Sequence, residues 1–208
     1  SNFARINFFR LSVTGGKSGD APVTSFDSRW TCFMNGEIYN FRSISSEYLG
    51  QHYESDTRVL VEGIAKIGLG FFKLLTGMFA GILIDNQTKK IYIFRDFFGE
   101  KPLFYSFSKE GIYISSEFRD LLSAKNCDLK LNNKAILNYF RFGYVEEPET
   151  FDETIKAFPK GAVLAYDQGD RTFKTELELG GHSTGNNSLN NIVQEVAAEV
   201  LRSDVPQG

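Results

Sequence analysis

Phe33-Met34-Asn35-Gly36-Glu37-Ile38-Tyr39-Asn40-Phe41 is the stretch on which both fold and chemistry turn. Trp30 to Met34 is apolar and β-rich, and reads as a strand that ends at the polar tripeptide Asn35-Gly36-Glu37. An Asn-Gly step at a strand end permits positive φ and lets backbone N–H groups approach a ligand closely. An Asn side-chain amide beside a glycine N–H makes a two-donor oxyanion hole. The glutamate that follows could hold a substrate ammonium. The same tripeptide also reads as a hairpin turn, because Asn-Gly is the strongest short hairpin signal. On the tripeptide alone both readings stand.

Outward from this stretch, the 208 residues suffice for one sizeable domain with its own core. A net charge of −3 with a pI near 5.5 argues against nucleic acid as the main partner. No apolar run reaches the length of a membrane span, and no signal peptide opens the chain. The two cysteines, Cys32 and Cys127, have no metal-like spacing and fit a reducing, cytoplasmic setting. Cys32 lies inside the strand and reads as a buried core thiol, not a nucleophile. His52 and His182 lie far apart and suggest no metal site. Twenty Phe and nine Tyr suit a Phe-rich sheet core.

In chain order, residues 1–13 read as a strand, with Arg10 breaking its apolar run as a solvent-edge residue or as something more specific. Residues 14–29 read as a loop. Ile38 to Tyr48 reads as a short helix. Leu60, Ile64 and Ile67 recur at helical spacing over 57–68, with Ser55 or Asp56 as the cap. Gly77–Ile84 and Lys90–Arg95 form an expected hairpin, and Leu103–Phe107 with Ile112–Ser115 another. Arg95 to Leu103 reads as a turn held by an Arg95–Asp96 charge network. Helices over 117–124 and 132–141, the latter capped by Asn132, are expected to cover the outer faces of the sheets. Leu179–Ser188 reads as a linker, and Leu189, Val193, Val196 and Val200 as an amphipathic helix. Periodicity alone supports α+β.

The full string Asn35-Gly36-Glu37-Ile38-Tyr39-Asn40 resembles the glutaminase domain of glutamine-hydrolysing asparagine synthetases. These are class II glutamine amidotransferases of the N-terminal-nucleophile hydrolase superfamily. Arg10-Leu11-Ser12-Val13, Ser55-Asp56-Thr57, Gly77-Met78-Phe79-Ala80, Arg95-Asp96-Phe97-Phe98-Gly99-Glu100-Lys101-Pro102-Leu103, Ser115-Ser116-Glu117 and Leu201-Arg202-Ser203-Asp204-Val205-Pro206 follow in the family's order. The resemblance implies a four-layer α-β-β-α sandwich of two antiparallel sheets, N-terminally incomplete. It implies a glutaminase-like domain over 1–178, a linker over 179–188 and the start of a synthetase domain over 189–208.

The resemblance also implies roles. Arg10 would bind the α-carboxylate of glutamine through its planar fork. Glu37 and Asp56 would hold the α-ammonium, and Asn35 and Gly36 would form the oxyanion hole. The family's nucleophile is an N-terminal cysteine, and it is expected before Ser1. Ser1 itself reads as a cut end or tag remnant rather than a substitute. The family's pyrophosphate loop, Ser-Gly-Gly-x-Asp-Ser, occurs nowhere in the chain, so ATP and Mg are expected only on a synthetase domain that lies beyond it. The implied partners are glutamine, that synthetase domain in cis or trans, and a second copy as a homodimer, with no nucleic acid and no membrane. The implied activity is conversion of glutamine to glutamate and ammonia for ATP-dependent amidation of aspartate or a similar carboxylate. The alternative is an inactive glutaminase-like scaffold docked on a synthetase domain.

Overall fold

Two antiparallel sheets and the helices outside them make four layers. The structure, a computed structural model, describes residues 22–109, 111–124 and 129–180, together with Gln194. The expected strand over 1–13, Arg10, Cys127, His182 and the helix over 189–202, apart from exposed Gln194, lie outside the described residues.

The described strands are β1 (Val23–Thr24), β2 (Trp30–Ile38), β3 (Gly77–Asp85), β4 (Ile91–Arg95), β5 (Phe104–Phe107), β6 (Ile112–Ser115), β7 (Ile155–Ala157), β8 (Ala162–Asp167) and β9 (Thr172–Glu178). The first sheet runs β1-β2-β3-β4-β8-β9 and the second β6-β5-β7. The helices are α1 (Phe41–Ile44), α2 (Asp56–Ile67), α3 (Phe118–Ala124) and α4 (Asn133–Phe142). A π-turn, Ser45–Leu49, continues α1, and a 3₁₀ turn, Leu69–Leu74, follows α2.

Strand alternation sorts the side chains into two cores. Trp30, Cys32, Met34 and Ile38 of β2 join Phe79, Leu83, Tyr92 and Phe94 on one face of the large sheet, under α1, α2 and the 3₁₀ turn. Ala80, Ile91, Ile93, Leu164 and Tyr166 point from the opposite face toward the second sheet, where Tyr105, Ile112 and Ile114 meet them. Phe104, on the far side of β5 from Tyr105, meets Phe118 of α3 with ring centroids 6.2 Å apart. That contact puts α3 on the outer face of the second sheet and completes the four layers.

Local sequence explains α2. Ser55 is its N-cap, and its hydroxyl accepts from the Arg58 N–H at 3.2 Å. Asp56 is therefore the first helical residue and is left for another task. Gly63 lies against the Phe71 ring, which a methyl group there would meet at 2.2 Å. Gly68, at φ +84°, ends the helix.

Several expectations need correction. β2 does not stop at Met34 but runs on through the tripeptide to Ile38, so Asn35-Gly36 is strand and not a hairpin turn. Ile38 to Tyr48 is therefore a strand end followed by one α-turn and one π-turn. Residues 14–29 hold a short strand, β1, paired to β2 through Val23–Cys32 and Thr24–Thr31. Asn132 does cap α4, accepting from the Ala135 N–H at 3.1 Å, but the helix covers little. Ala135 is its one buried residue, while Leu137, Tyr139 and Phe140 are exposed. β7, β8 and β9 had no sequence expectation behind them. Leu179, expected to open the linker, is instead buried in the helix-side core.

Candidate active site

The site is built where β2 meets α2. In an antiparallel pair, residues alternate between exchanging both backbone hydrogen bonds and exchanging none. The register pairs Gly36 with Phe79 and Ile38 with Gly77. Phe79 spends both backbone groups on the other side: its carbonyl accepts from the Asp96 N–H at 2.8 Å, and its N–H donates to the Asp96 carboxylate at 3.3 Å. Gly36 and Phe79 are therefore a non-hydrogen-bonded pair. The Gly36 N–H points away from β3, toward the β1 edge.

Ile38 confirms the alternation. Its N–H donates to Asp56 Oδ2 at 3.1 Å, on that same edge. The neighbouring Tyr39 N–H turns the other way, to the Thr76 carbonyl at 2.8 Å. The Asp56 carboxylate, wholly buried at the start of α2, thus sits two residues along the strand from the Gly36 N–H, about 7 Å at the usual strand rise. Its other oxygen accepts from the Thr57 N–H at 2.6 Å.

Gly36 is required by the backbone itself. Its φ is +127°, and a Cβ there would lie 2.0 Å from the Met78 carbonyl oxygen and 2.7 Å from Phe79 Cα. The odd-numbered β2 side chains face the second sheet. Asn35 is exposed there, and Glu37, 7% exposed, is buried beside it on the same face. Asn35, Gly36, Glu37 and Asp56 come together at one strand end. Arg10, the fifth expected site residue, lies outside the described residues.

The surrounding charge is acidic. The Tyr39 phenol is pushed up by burial first, then by the carboxylates of Glu100, Glu37 and Asp96. The Cys32 thiol is pushed far up by complete burial, with the Asp56 charge adding to it, which removes Cys32 as a nucleophile. Among the described residues, no three His, Cys, Asp or Glu side chains gather to hold a metal ion, and no helix is long and apolar enough to cross a membrane.

Two further residues shape the site: Asn40, which the sequence offered only as the end of the Asn35–Asn40 string, and Asp96, expected only as half of a charge network with Arg95. Asn40 clamps the chain after β2: its Nδ2 donates to the Leu74 carbonyl at 2.8 Å, and its Oδ1 accepts from the Thr76 N–H at 2.9 Å. An Asn just past a strand is the available signal. Asp96 gathers the backbone of its own loop, accepting at Oδ1 from Phe98, Gly99 and Glu100 at 3.0, 2.7 and 3.0 Å, and at Oδ2 from Lys101 at 3.2 Å. Arg95 holds the same loop through carbonyls, donating to Lys101, Gly99 and Phe158, and pairs with Glu147 at 3.0 Å. The expected turn is there, but no ion pair joins Arg95 to Asp96 among the described residues. A separate cavity of about 600 Å³ lies between Phe97, Phe98, Leu164 and Leu179, and none of the expected site residues lines it.

Comparison with known proteins gives a concordant picture. A family model described as a glutamine amidotransferase domain matches residues 2–176. The chain is 31% identical to asparagine synthetase [glutamine-hydrolyzing] 1 of Bacillus subtilis, over 97% of this chain and 33% of that protein. It is 27% identical to asparagine synthetase B [glutamine-hydrolyzing] of Escherichia coli, over 96% of this chain and 33% of that protein. The chain thus spans about a third of the length of these relatives. Among solved structures, glutamine phosphoribosylpyrophosphate amidotransferase from B. subtilis superposes with a TM-score of 0.51 at 16% identity, over 77% of this chain and 32% of that one. At that identity the likeness shows the fold alone, two antiparallel sheets flanked by helices.

Proposed function

Because the chain belongs to the glutamine amidotransferase domain family, we propose that it hydrolyses the side-chain amide of glutamine to glutamate and ammonia. In this reading the ammonia passes to a synthetase-type domain, which amidates aspartate or a similar carboxylate. ATP and magnesium enter as ligands of that domain and not of these residues.

The observation that carries the reading is the β2 edge. It presents the Gly36 N–H and the buried Asp56 carboxylate on one side, about one extended amino-acid side chain apart, with Asn35 and Glu37 on the adjoining face. A thiolate attacking the amide carbon drives negative charge onto the amide oxygen. The Asn35 amide and the Gly36 N–H are the two donors for that charge. Ammonia leaves, and water cleaves the resulting γ-glutamyl thioester. Glu37 and Asp56 hold the substrate's α-ammonium, and Arg10 its α-carboxylate. The thiolate is that of an N-terminal cysteine, which precedes these residues in this reading. An inactive scaffold would have no physical need for a strained glycine and two buried carboxylates at one strand end.

The test is glutamate release from glutamine by the full-length protein, with Arg10→Ala beside it. Loss of a charge-assisted pair worth about 1.5–3 kcal/mol raises KM for glutamine roughly tenfold to a hundredfold. A folded full-length protein that releases no glutamate above the spontaneous rate would overturn the activity. An unchanged KM in Arg10→Ala would overturn the assignment of Arg10.

A further inference from the structure

We infer that Asp96 is a positioning residue for glutamine hydrolysis: it fixes the strand backbone on which the oxyanion-donating glycine rests. The inference depends on the glutamine-hydrolysis reading and adds a part to it that lies outside the substrate pocket.

The argument follows the hydrogen bonds. The Asp96 carboxylate is 1% exposed and accepts five backbone N–H groups, four from its own loop and one from Phe79. The Asp96 N–H donates to the Phe79 carbonyl at 2.8 Å. Phe79 is thus gripped at both backbone polar groups by a single residue. Phe79 Cα and the Met78 carbonyl form the wall against which Gly36 packs, too close for any side chain. The Gly36 N–H leaves the opposite edge of β2. A shift of the β3 backbone at Phe79 is therefore transmitted to Gly36 with no side chain between them to absorb it.

A loop needing only a turn would be satisfied by the four N–H bonds within residues 98–101. The fifth bond, across to β3, ties the loop to the strand pair that carries the site. The carboxylate also sits near enough to Tyr39 at the end of β2 to raise its phenol, together with Glu100 and Glu37. The loop thus meets the site strand opposite Gly36, through Phe79, and again beside Tyr39.

Asp96→Asn keeps the size and exchanges one acceptor oxygen for an NH₂ facing N–H donors. In the full-length enzyme, active sites are counted with a diazoketone analogue of glutamine that alkylates the nucleophilic thiol. The readouts per active site are kcat, KM for glutamine, and inhibition by glutamate γ-semialdehyde. This aldehyde adds the thiol across its carbonyl and places an oxygen where the oxyanion forms.

The expected result is kcat lowered about tenfold to a hundredfold, the scale of a misplacement of ~1 Å. KM should change less than threefold, and aldehyde inhibition should weaken by the same factor as kcat/KM, because the lost interaction exists only in the transition state. A purely structural Asp96 would lower the fraction of active sites and leave these per-site values unchanged, and that result overturns the inference.

If Asp96→Asn does not fold, Gly99→Ala gives the second reading. Gly99 donates the shortest loop bond to Asp96, 2.7 Å, and sits at φ +72° with Lys160 Cβ 2.9 Å from an added methyl. A several-fold loss of kcat at constant KM supports the inference, and an unchanged kcat overturns it. Wild-type enzyme that turns glutamine over while both variants keep wild-type kcat sinks this inference alone. Wild-type enzyme without turnover sinks the proposed function, and this inference with it.

Discussion

Replacing Gly36 with alanine tests the fold and the site at one atom. The added Cβ would meet the Met78 carbonyl oxygen at 2.0 Å, Phe79 Cα at 2.7 Å and the Met78 carbonyl carbon at 2.9 Å. All three are backbone atoms, so no rotamer change relieves the clash, and Asp96 holds Phe79 from behind. The φ of +127° is itself foreign to alanine. Strained backbone costs about 1–3 kcal/mol and overpacking about 1–3 kcal/mol, so the sum is roughly 2–6 kcal/mol. For a domain of this size each kcal/mol lowers Tm by about 2–4 °C, which places the centre of the range near a loss of ~12 °C. Thermal unfolding followed by far-ultraviolet circular dichroism measures it.

Asn35→Ala is the companion variant. Its side chain is exposed, so stability should change by no more than the ~0.5 kcal/mol typical of surface changes, a Tm shift of about 2 °C at most, while turnover falls about a hundredfold or more. A Gly36→Ala protein melting within 2 °C of wild type, on the ~2–4 °C per kcal/mol scale, would refute the β2–β3 register. The whole site geometry rests on that register.

Two other outcomes follow from the electrostatics. Burial alone would raise the Asp85 carboxyl, but its hydrogen bond to Arg29 and those from the Thr88 and Gln87 N–H groups hold it below the ordinary 3.8. A carboxyl lowered on folding stabilises fully above its unfolded value and loses that contribution as pH falls through the folded value. Urea midpoints of wild type and Asp85→Asn should therefore differ most near neutral pH and converge below about pH 4, and a gap constant with pH would contradict the assignment. Cys32, buried with its thiol pushed up, should resist iodoacetamide at pH 8 in the native protein and react once urea is added; peptide mass mapping that finds Cys32 alkylated without denaturant would disprove its burial.

Much of this fold was legible where the chain carries its own punctuation. β3 and β4 are apolar runs on either side of a polar turn, and α2 has its cap, its apolar spacing and its terminal glycine in plain view. β8 is buried on both faces, so it shows no alternation to read. β9 is a largely exposed edge strand, and only its pairing to β8 makes it a strand. For α4 the helix and its Asn132 cap were legible, but the expected cover over a sheet was not met, since Leu137, Tyr139 and Phe140 face outward in the described residues.

At the site, the residue types of Asn35, Gly36, Glu37 and Asp56 were legible through the motif. Their meeting was implied only by the resemblance, since no spacing in the sequence brings Asp56 to the end of β2. Whether Ser55 or Asp56 caps α2 depends on one hydroxyl distance, and only after Ser55 takes that role is Asp56 available to Ile38. Asp96 was invisible as a neighbour of Gly36 because 60 positions separate them in the chain, and the link passes through Phe79, which neither motif singles out.

The chain's single tryptophan gives β2 an optical label at its other end. Trp30 is buried, lies 6.0 Å from the Tyr92 ring, and carries the Arg29 guanidinium 4.9 Å above it. It stands five residues from Asn35 on a straight strand, about 17 Å away. Its emission therefore follows the opening of the large sheet and is blind to what occupies the oxyanion donors.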